Sequence, residues 1–409
     1  QPNPGRFSVG YLVMGNFQSP NQAPFTKSQA PVAKDSSTLS IGSLLIKTSL
    51  LFIVFNLSFA WFNPMPSLGR ISAYNWLFPG RQRLPFGEVQ DKAYNLSLYQ
   101  LDAMFHSHEL AAPKTSREYR GILIGDSSVW GYLLKPSQTL AAFLNDYQLK
   151  TSDGKMVKFY NLGYPTIALT KDLLILSYAM AYQPDMVIWL TTLEALPLPK
   201  QLSSPIVQHN PMPVRALFST YNLLLNSQDS QLIDTSFWQR TIIGQRRALA
   251  DLFRLQLYGV LWAATGVDQY YPAAYEPPQA DLEADERFHD LLPPTLRQED
   301  LAFSIISAGI QIAGNRPVLL VNEPIYISQG ENSNIRYNFF YPRWAYDQYR
   351  SLFTQVSQSE GWAYLDLWDL VPAGEFTNSA IHMSPIGTSQ LASQMIPSIQ
   401  HLLDQSYAP

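Results

Sequence analysis

Apolar positions in this chain fall into two kinds of run. Short ones, bounded by glycine, proline or polar residues, occupy 121–125, 157–162, 186–191, 317–321 and 363–367. Such runs fit strands buried on both faces of a sheet. Longer stretches with an apolar stripe at helical spacing lie between or after them, at 170–182, 301–313, 345–359 and 388–403. Strand and helix alternate, which predicts a parallel sheet with helices on both faces, a three-layer α/β/α fold. Between about 198 and 299 the rhythm breaks. Residues 246–264 read as one amphipathic helix, followed at 270–294 by a stretch rich in Pro, Tyr and acids. This region reads as an insertion capping the active edge of the sheet. Residues 255–264 are apolar enough to suggest a second span, but Asp251 and Arg254 cut it short, so the helix is assigned to a cap or to the membrane surface.

The longest apolar run comes first. Residues 44–62 read LLIKTSLLFIVFNLSFAWF, about the ~20 residues needed to cross a bilayer as a helix. Lys47 can snorkel at one end, and Trp61 and Phe62 mark the other. A cleaved signal peptide fits poorly, because a long segment precedes the run and no small-residue cleavage site follows. Arg6, Lys27, Lys34 and Lys47 precede or open the span against Asp35 alone, which places the N-terminus in the cytoplasm and the remainder outside. Arg70, Arg81 and Arg83, just beyond the span, oppose that orientation. Residues 1–40 are rich in Pro, Gln, Ser and Asn with no apolar period, so they cannot build a core alone. They are expected to be ordered by partner membrane protein subunits. The expected layout is a low-complexity segment (1–43), a transmembrane helix (44–62), a linker with a membrane-proximal helix at 93–108 (63–116), and the α/β domain (117–409). Trp76, Phe78 and Phe86 of the linker lie either at headgroup level or under the main domain.

Composition narrows the functional classes. Charged residues are 15% of the chain, below the roughly 25% usual for soluble proteins, which points to contact with lipid or a large partner surface. A net charge of −4 without a basic stripe leaves no case for nucleic acid. With no cysteine, disulfides, thiolate metal sites and a cysteine nucleophile are excluded. His106 and His108, two apart, would point different ways on a helix, so no metal pair is expected. No phosphate loop, dinucleotide fingerprint or haem-attachment motif is present, and no cofactor is expected.

Candidate chemistry starts at 121–131, GILIGDSSVWG. An apolar strand ends in Gly125-Asp126-Ser127 and a helix is predicted from Val129. A serine at that junction stands at the carboxyl edge of the sheet, where α/β folds bind ligands, beside the first amides of a helix. A late histidine, His382, lies in FTNSAIHMSPIG just ahead of the final helix. Asn161-Leu162-Gly163-Tyr164 and Val321-Asn322-Glu323-Pro324 close two further strands at the same edge. Each has a structural alternative. Ser127 would cap its helix, Asp126 hold the turn, Gly163 make a tight turn, and His382 sit in an exposed loop; Asn322 and Glu323 either line a pocket or cap their strand.

Over about residues 117–401 these blocks resemble those of the SGNH (GDSL-like) hydrolases. The resemblance implies Ser127 as nucleophile, His382 as base and the Gly163 amide as an oxyanion donor. Two blocks depart from the pattern. WLTTLE at 189–194 lacks the asparagine, leaving Thr192 or Glu194 in its place, with Asn322 as another polar group at the edge. Three residues before His382 stands Ser379 instead of aspartate, with Asn378 beside it, so Glu375 or Asp366 would have to supply the carboxylate. A lost oxyanion donor costs ~100- to 1,000-fold in rate, and loss of the triad carboxylate about 10⁴-fold in the serine proteases. With its N-terminal span, the chain resembles membrane-anchored extracytoplasmic acyltransferase-like members of that superfamily, which work beside polytopic O-acyltransferases. What this implies is an acyl-Ser127 intermediate, a polysaccharide or lipid hydroxyl or water as acceptor, and no metal or organic cofactor. The departures also fit an alternative, a catalytically silent SGNH-like accessory subunit of a membrane complex.

Overall fold

The structure, a computed structural model, describes residues 40–77, 80–87, 98–265 and 269–405. Five strands form one sheet: β1 (Glu118–Ile124), β2 (Met156–Asn161), β3 (Met186–Thr191), β4 (Val318–Asn322) and β5 (Ala363–Asp366). Their order is β2-β1-β3-β4-β5, and every neighbouring pair is parallel. Because β2 and β3 flank β1 on opposite sides, the chain leaves the carboxyl ends of β1 and β3 in opposite directions and opens a crevice there. Alternate side chains feed two cores. Ile122, Ile124, Val187, Trp189 and Leu320 enter one, and Leu123, Ile188, Leu190, Leu319 and Val321 the other. Both faces are buried, so the strands read as continuous apolar runs. β1 begins earlier than its apolar run because its first residues hide their charges. Arg120 is buried, pairs with Glu118 at 2.6 Å and donates to the carbonyls of Leu110, Ala112 and Tyr182.

In chain order the helices are α1 (Ile41–Phe62), α2 (Met65–Gly69), α3 (Ala73–Leu77), α4 (Leu101–His106), α5 (Ser127–Trp130), α6 (Leu140–Asp146), α7 (Leu169–Ala179), α8 (Pro205–Gln208), α9 (Pro211–Thr220), α10 (Arg246–Thr265), α11 (Phe303–Ala313), α12 (Arg343–Glu360) and α13 (Pro385–Gln405). Side chains of α7, α11 and α12 fill the first core, and those of α6 and α13 the second, which completes the three layers. The helix expected at 93–108 is represented by the short α4; residues 88–97 lie outside the described residues. Within 198–299 the described residues hold helices and no strand.

The chain divides into two compact units, 1–52 and 53–409, with the boundary inside α1. Of the first unit the described residues are 40–52, helical from Ile41, with exposed apolar side chains. α1 as a whole has 22 residues and is long and apolar enough to cross a bilayer. The expectation that a partner orders residues 1–40 falls on 1–39, outside the described residues. Among the linker aromatics, Trp76 is exposed, whereas Phe86 packs edge-on against Trp130 and Tyr164 at 6.0 and 5.2 Å. Phe78 lies outside the described residues.

Candidate active site

β1 delivers Ser127 to the sheet edge through a turn that tolerates little bulk. A Cβ at Gly125 would lie 2.6 Å from Val129 Cγ2 and 3.0 Å from the Leu190 carbonyl. Asp126 then caps α5, its carboxylate accepting from the Ser128 amide at 2.8 Å. Ser127 is the first residue of α5, and its Oγ lies 2.7 Å from His382 Nε2. His382 comes from the loop between β5 and α13. That loop folds back on itself: the Thr377 amide and hydroxyl donate to the His382 carbonyl at 2.8 and 3.2 Å. His382 Nδ1 lies 3.0 Å from Asn378 Oδ1, and the Tyr132 ring sits 4.7 Å from the imidazole. Burial lowers the His382 pKa from 6.5 to about 3. A neutral ring in this setting donates Nδ1–H to Asn378 Oδ1 and turns the Nε2 lone pair to the Ser127 hydroxyl, the tautomer a general base needs. Ser127 and His382 are only 7% and 9% exposed.

The other sequence-predicted residues meet different partners. Gly163 is a glycine because the loop after β2 presses onto α5: a Cβ there would lie 2.4 Å from the Trp130 amide nitrogen. Its N–H donates to Asn161 Oδ1 at 3.0 Å, so the expected oxyanion donor is already engaged. Thr192 is buried with its hydroxyl 3.0 Å from the Tyr341 hydroxyl, and Glu194 is held by Lys200 and by His289 at 2.9 Å. Asn322 extends from β4 toward α12, two residues after Leu320 on the same face of the strand. There Oδ1 accepts from Tyr349 and Tyr346 hydroxyls at 3.0 and 3.3 Å, and Nδ2 donates to Asp366 at 2.8 Å. Asp366 also takes two bonds from Arg350 and is spent on that network. Glu375 does not reach His382: it accepts from the Ser384 hydroxyl, whose oxygen in turn accepts from the Ile386 and Gly387 amides at the start of α13. The group at Nδ1 is therefore the Asn378 amide in place of either expected carboxylate. It lies four residues before the histidine, close enough for the folded-back loop to bring the two together.

Two charged side chains lie beneath the serine turn: Glu323, expected from the sequence either to line a pocket or to cap its strand, and Lys171, which the sequence did not single out. Glu323, fully buried, follows β4 and accepts from the Ser128 hydroxyl. Burial and the adjacent negative Asp126 raise its carboxyl well above the usual range. Burial thus favours the protonated acid, whose hydrogen can be shared with Asp126, in keeping with Glu323 Oε1 having no donor of its own. Lys171, also fully buried, donates to the Gly125 carbonyl at 2.6 Å and the Tyr164 carbonyl at 3.0 Å and pairs with Asp172 at 2.5 Å. It ties the loops after β1 and β2 together from below. The available signal was the Lys171-Asp172 pair itself, which interrupts an otherwise apolar helix.

No protein-family model matches the sequence, and no curated protein sequence matches it. Solved structures similar to the chain include a carbohydrate acetylesterase family member from Sinorhizobium meliloti (10% identity, TM-score 0.31, covering 70% of this chain and 99% of that one). A putative arylesterase from Agrobacterium tumefaciens str. C58 (10%, 0.33, 69% and 99%) and the native aryl esterase of M. smegmatis (12%, 0.33, 69% and 99%) are others. Likenesses this distant say nothing about the chemistry, which rests on the geometry of the residues above.

Proposed function

We propose that the α/β domain is a membrane-anchored serine acyltransferase or esterase of the SGNH type, acting on an envelope polysaccharide or lipid through an acyl-Ser127 intermediate. The observation that carries this reading is the relay from Ser127 Oγ to His382 Nε2 and from His382 Nδ1 to Asn378, at 2.7 and 3.0 Å. His382 takes the hydroxyl proton as Ser127 Oγ attacks the acyl carbonyl, then gives it to the departing oxygen. In the second half an acceptor hydroxyl, or water, attacks the acyl-serine, gives its proton to Nε2, and the proton returns to Ser127. Asn378 holds the tautomer without adding charge, so the transient imidazolium is less supported than beside a carboxylate. For Gly163 to donate to the oxyanion, its N–H must leave Asn161 Oδ1. The scheme calls for no metal or organic cofactor, and it expects slow turnover.

Anchoring by α1, with the main domain outside the cytoplasm, belongs to the same proposal. Of the three arginines that oppose that orientation by sequence, Arg70 stays exposed, whereas Arg81 and Arg83 are 4% and 1% exposed, and Arg83 donates to the carbonyls of Gly131 and Leu134 at 3.0 Å. Arginines committed inside the domain drop out of the charge balance at the membrane, which supports the orientation. Partner membrane subunits holding residues 1–40 are proposed on composition alone.

One observation favours a second reading, a catalytically silent accessory subunit of a membrane complex. Gly163, Thr192 and Asn322 all spend their polar groups inside the protein. A fluorophosphonate probe separates the two. On the enzyme reading it labels the wild type and spares Ser127→Ala; an unlabelled wild type gives the silent reading, and labelling that persists in Ser127→Ala points to another nucleophile.

A further inference from the structure

Helix α10 carries two apolar faces, and the domain uses one. Leu252 and Leu255 are buried in the first core, with Gly259 on the same inner side. Phe253, Leu257 and Leu261, spaced by four, form a second stripe that stays 69%, 67% and 57% exposed. The stripe continues onto its neighbours. α3 packs against α10, with the Ala73 amide donating to Gln256 at 2.7 Å, and Ile71, Trp76 and Leu77 are likewise exposed. Ile71 and Phe253 line one small apolar cleft. A contiguous apolar surface of this kind marks an interaction site.

Charge and position identify the occupant. Exposed Arg246, Arg247 and Arg254 border the stripe against a single acid of α10, Asp251, which pairs with Arg254 at 3.4 Å. Apolar stripes edged by arginine suit the boundary between acyl chains and anionic headgroups. The same part of the domain also receives the end of α1. Asn56 Oδ1 accepts from the Ile243 amide at 3.2 Å, just before α10 begins, and Ala60 is fully buried. We propose that α10 and α3 lie in the headgroup layer of the membrane that takes α1, with Phe253, Leu257, Leu261, Ile71, Trp76 and Leu77 in lipid and the arginines on anionic headgroups. The domain is then held against the bilayer at two places and cannot swing freely on its anchor. This rests on α1 as anchor and is independent of the chemistry at Ser127.

The chain has no cysteine, so single labels can be placed without background. The full-length Leu257→Cys and Val54→Cys variants, each carrying an environment-sensitive fluorophore, would be reconstituted into phosphatidylcholine vesicles with and without phosphatidylglycerol, using brominated or ordinary acyl chains. The expected result is roughly twofold or greater quenching by brominated lipid at both positions, stronger at 257 with phosphatidylglycerol. Adding Phe253→Asp and Leu261→Asp should abolish quenching at 257 and leave it at 54. Quenching at 54 with a water-like, unquenched 257 overturns the docking of α10 and leaves the anchor standing; that is also the outcome if the stripe is covered by a protein. Absence of quenching at both positions overturns docking and anchor together.

Discussion

Asn378 and Glu323 set the acid–base character of the site. Asn378 is exposed, so a carboxylate there would stay hydrated and ionised. Asn378→Asp places a negative charge beside Nδ1 and stabilises the imidazolium, partly screened by solvent. Fluorophosphonate labelling should accelerate by ~10-fold or more, short of the roughly 10⁴-fold seen for a fully buried triad carboxylate. In the wild type, burial keeps His382 neutral down to about pH 3. Its labelling rate should be flat from about pH 8 to pH 5, whereas Asn378→Asp should show an acid limb. A wild-type limb near pH 6.5 would mean the imidazole is far better solvated than its packing indicates. For Glu323 the folded pKa is raised, so its contribution to stability is complete below about 4.5 and is lost as pH rises toward the folded value. Gln at 323 mimics the protonated acid at every pH. Thermal melts should therefore show Glu323→Gln gaining on the wild type at pH 8 relative to pH 5.

The loops after β1 and β2 act as one unit, clamped between α5 above and Lys171 below. At Gly163 an added Cβ meets backbone at 2.4 Å, and backbone cannot swing aside as a side chain would. Gly163→Ala should cost ~1–3 kcal/mol, seen as a melting temperature lower by a few degrees together with slower labelling. Gly374→Ala, with nothing within 4 Å, is the control and should change neither. Lys171→Met strands Asp172 as a buried charge and removes the tie between two carbonyls, a loss of about 3–5 kcal/mol. Lys171→Met with Asp172→Leu should recover much of it, because the stranded charge dominates the penalty. If the double variant is no more stable than the single one, the clamp on Gly125 and Tyr164 matters more than the ion pair.

At the scale of the whole molecule, pH and topology are the accessible tests. His108 is buried, donates Nε2–H to the Asn161 carbonyl at 3.0 Å and accepts the Leu110 amide at Nδ1; burial lowers its pKa to about 4. With His382 at about 3, the folded chain refuses two protons that the unfolded chain accepts below about 6.5. Stability therefore falls as pH drops from about 6.5 toward 4. His108→Gln should flatten that fall in urea melts; an unchanged slope would mean His108 already titrates in the folded state. The proposed topology predicts that protease applied to intact cells, or to spheroplasts where an outer membrane exists, removes the large domain and leaves an anchored stub. Full protection would reverse the orientation.

Periodicity is a local property, and what depends on it was legible in the sequence alone. The five strand runs, the helices between them and hence the three-layer parallel architecture follow from spacing that a short window contains. So do α1 and the placing of Ser127 where β1 meets α5. Partner choice is not local. Ser127 and His382 are 255 residues apart, and only loop closure over the sheet edge decides that Asn378, and neither Glu375 nor Asp366, faces Nδ1. The same holds for Gly163 and Thr192, whose residue types suit an oxyanion hole but whose polar groups went to Asn161 and Tyr341. Lys171 stayed hidden, and Glu323 was left between two roles, because a charged letter reads as surface until the fold shows what surrounds it. A hydrogen bond needs its partner placed within a few tenths of an ångström, and that placement exists only once the packed layers hold both ends.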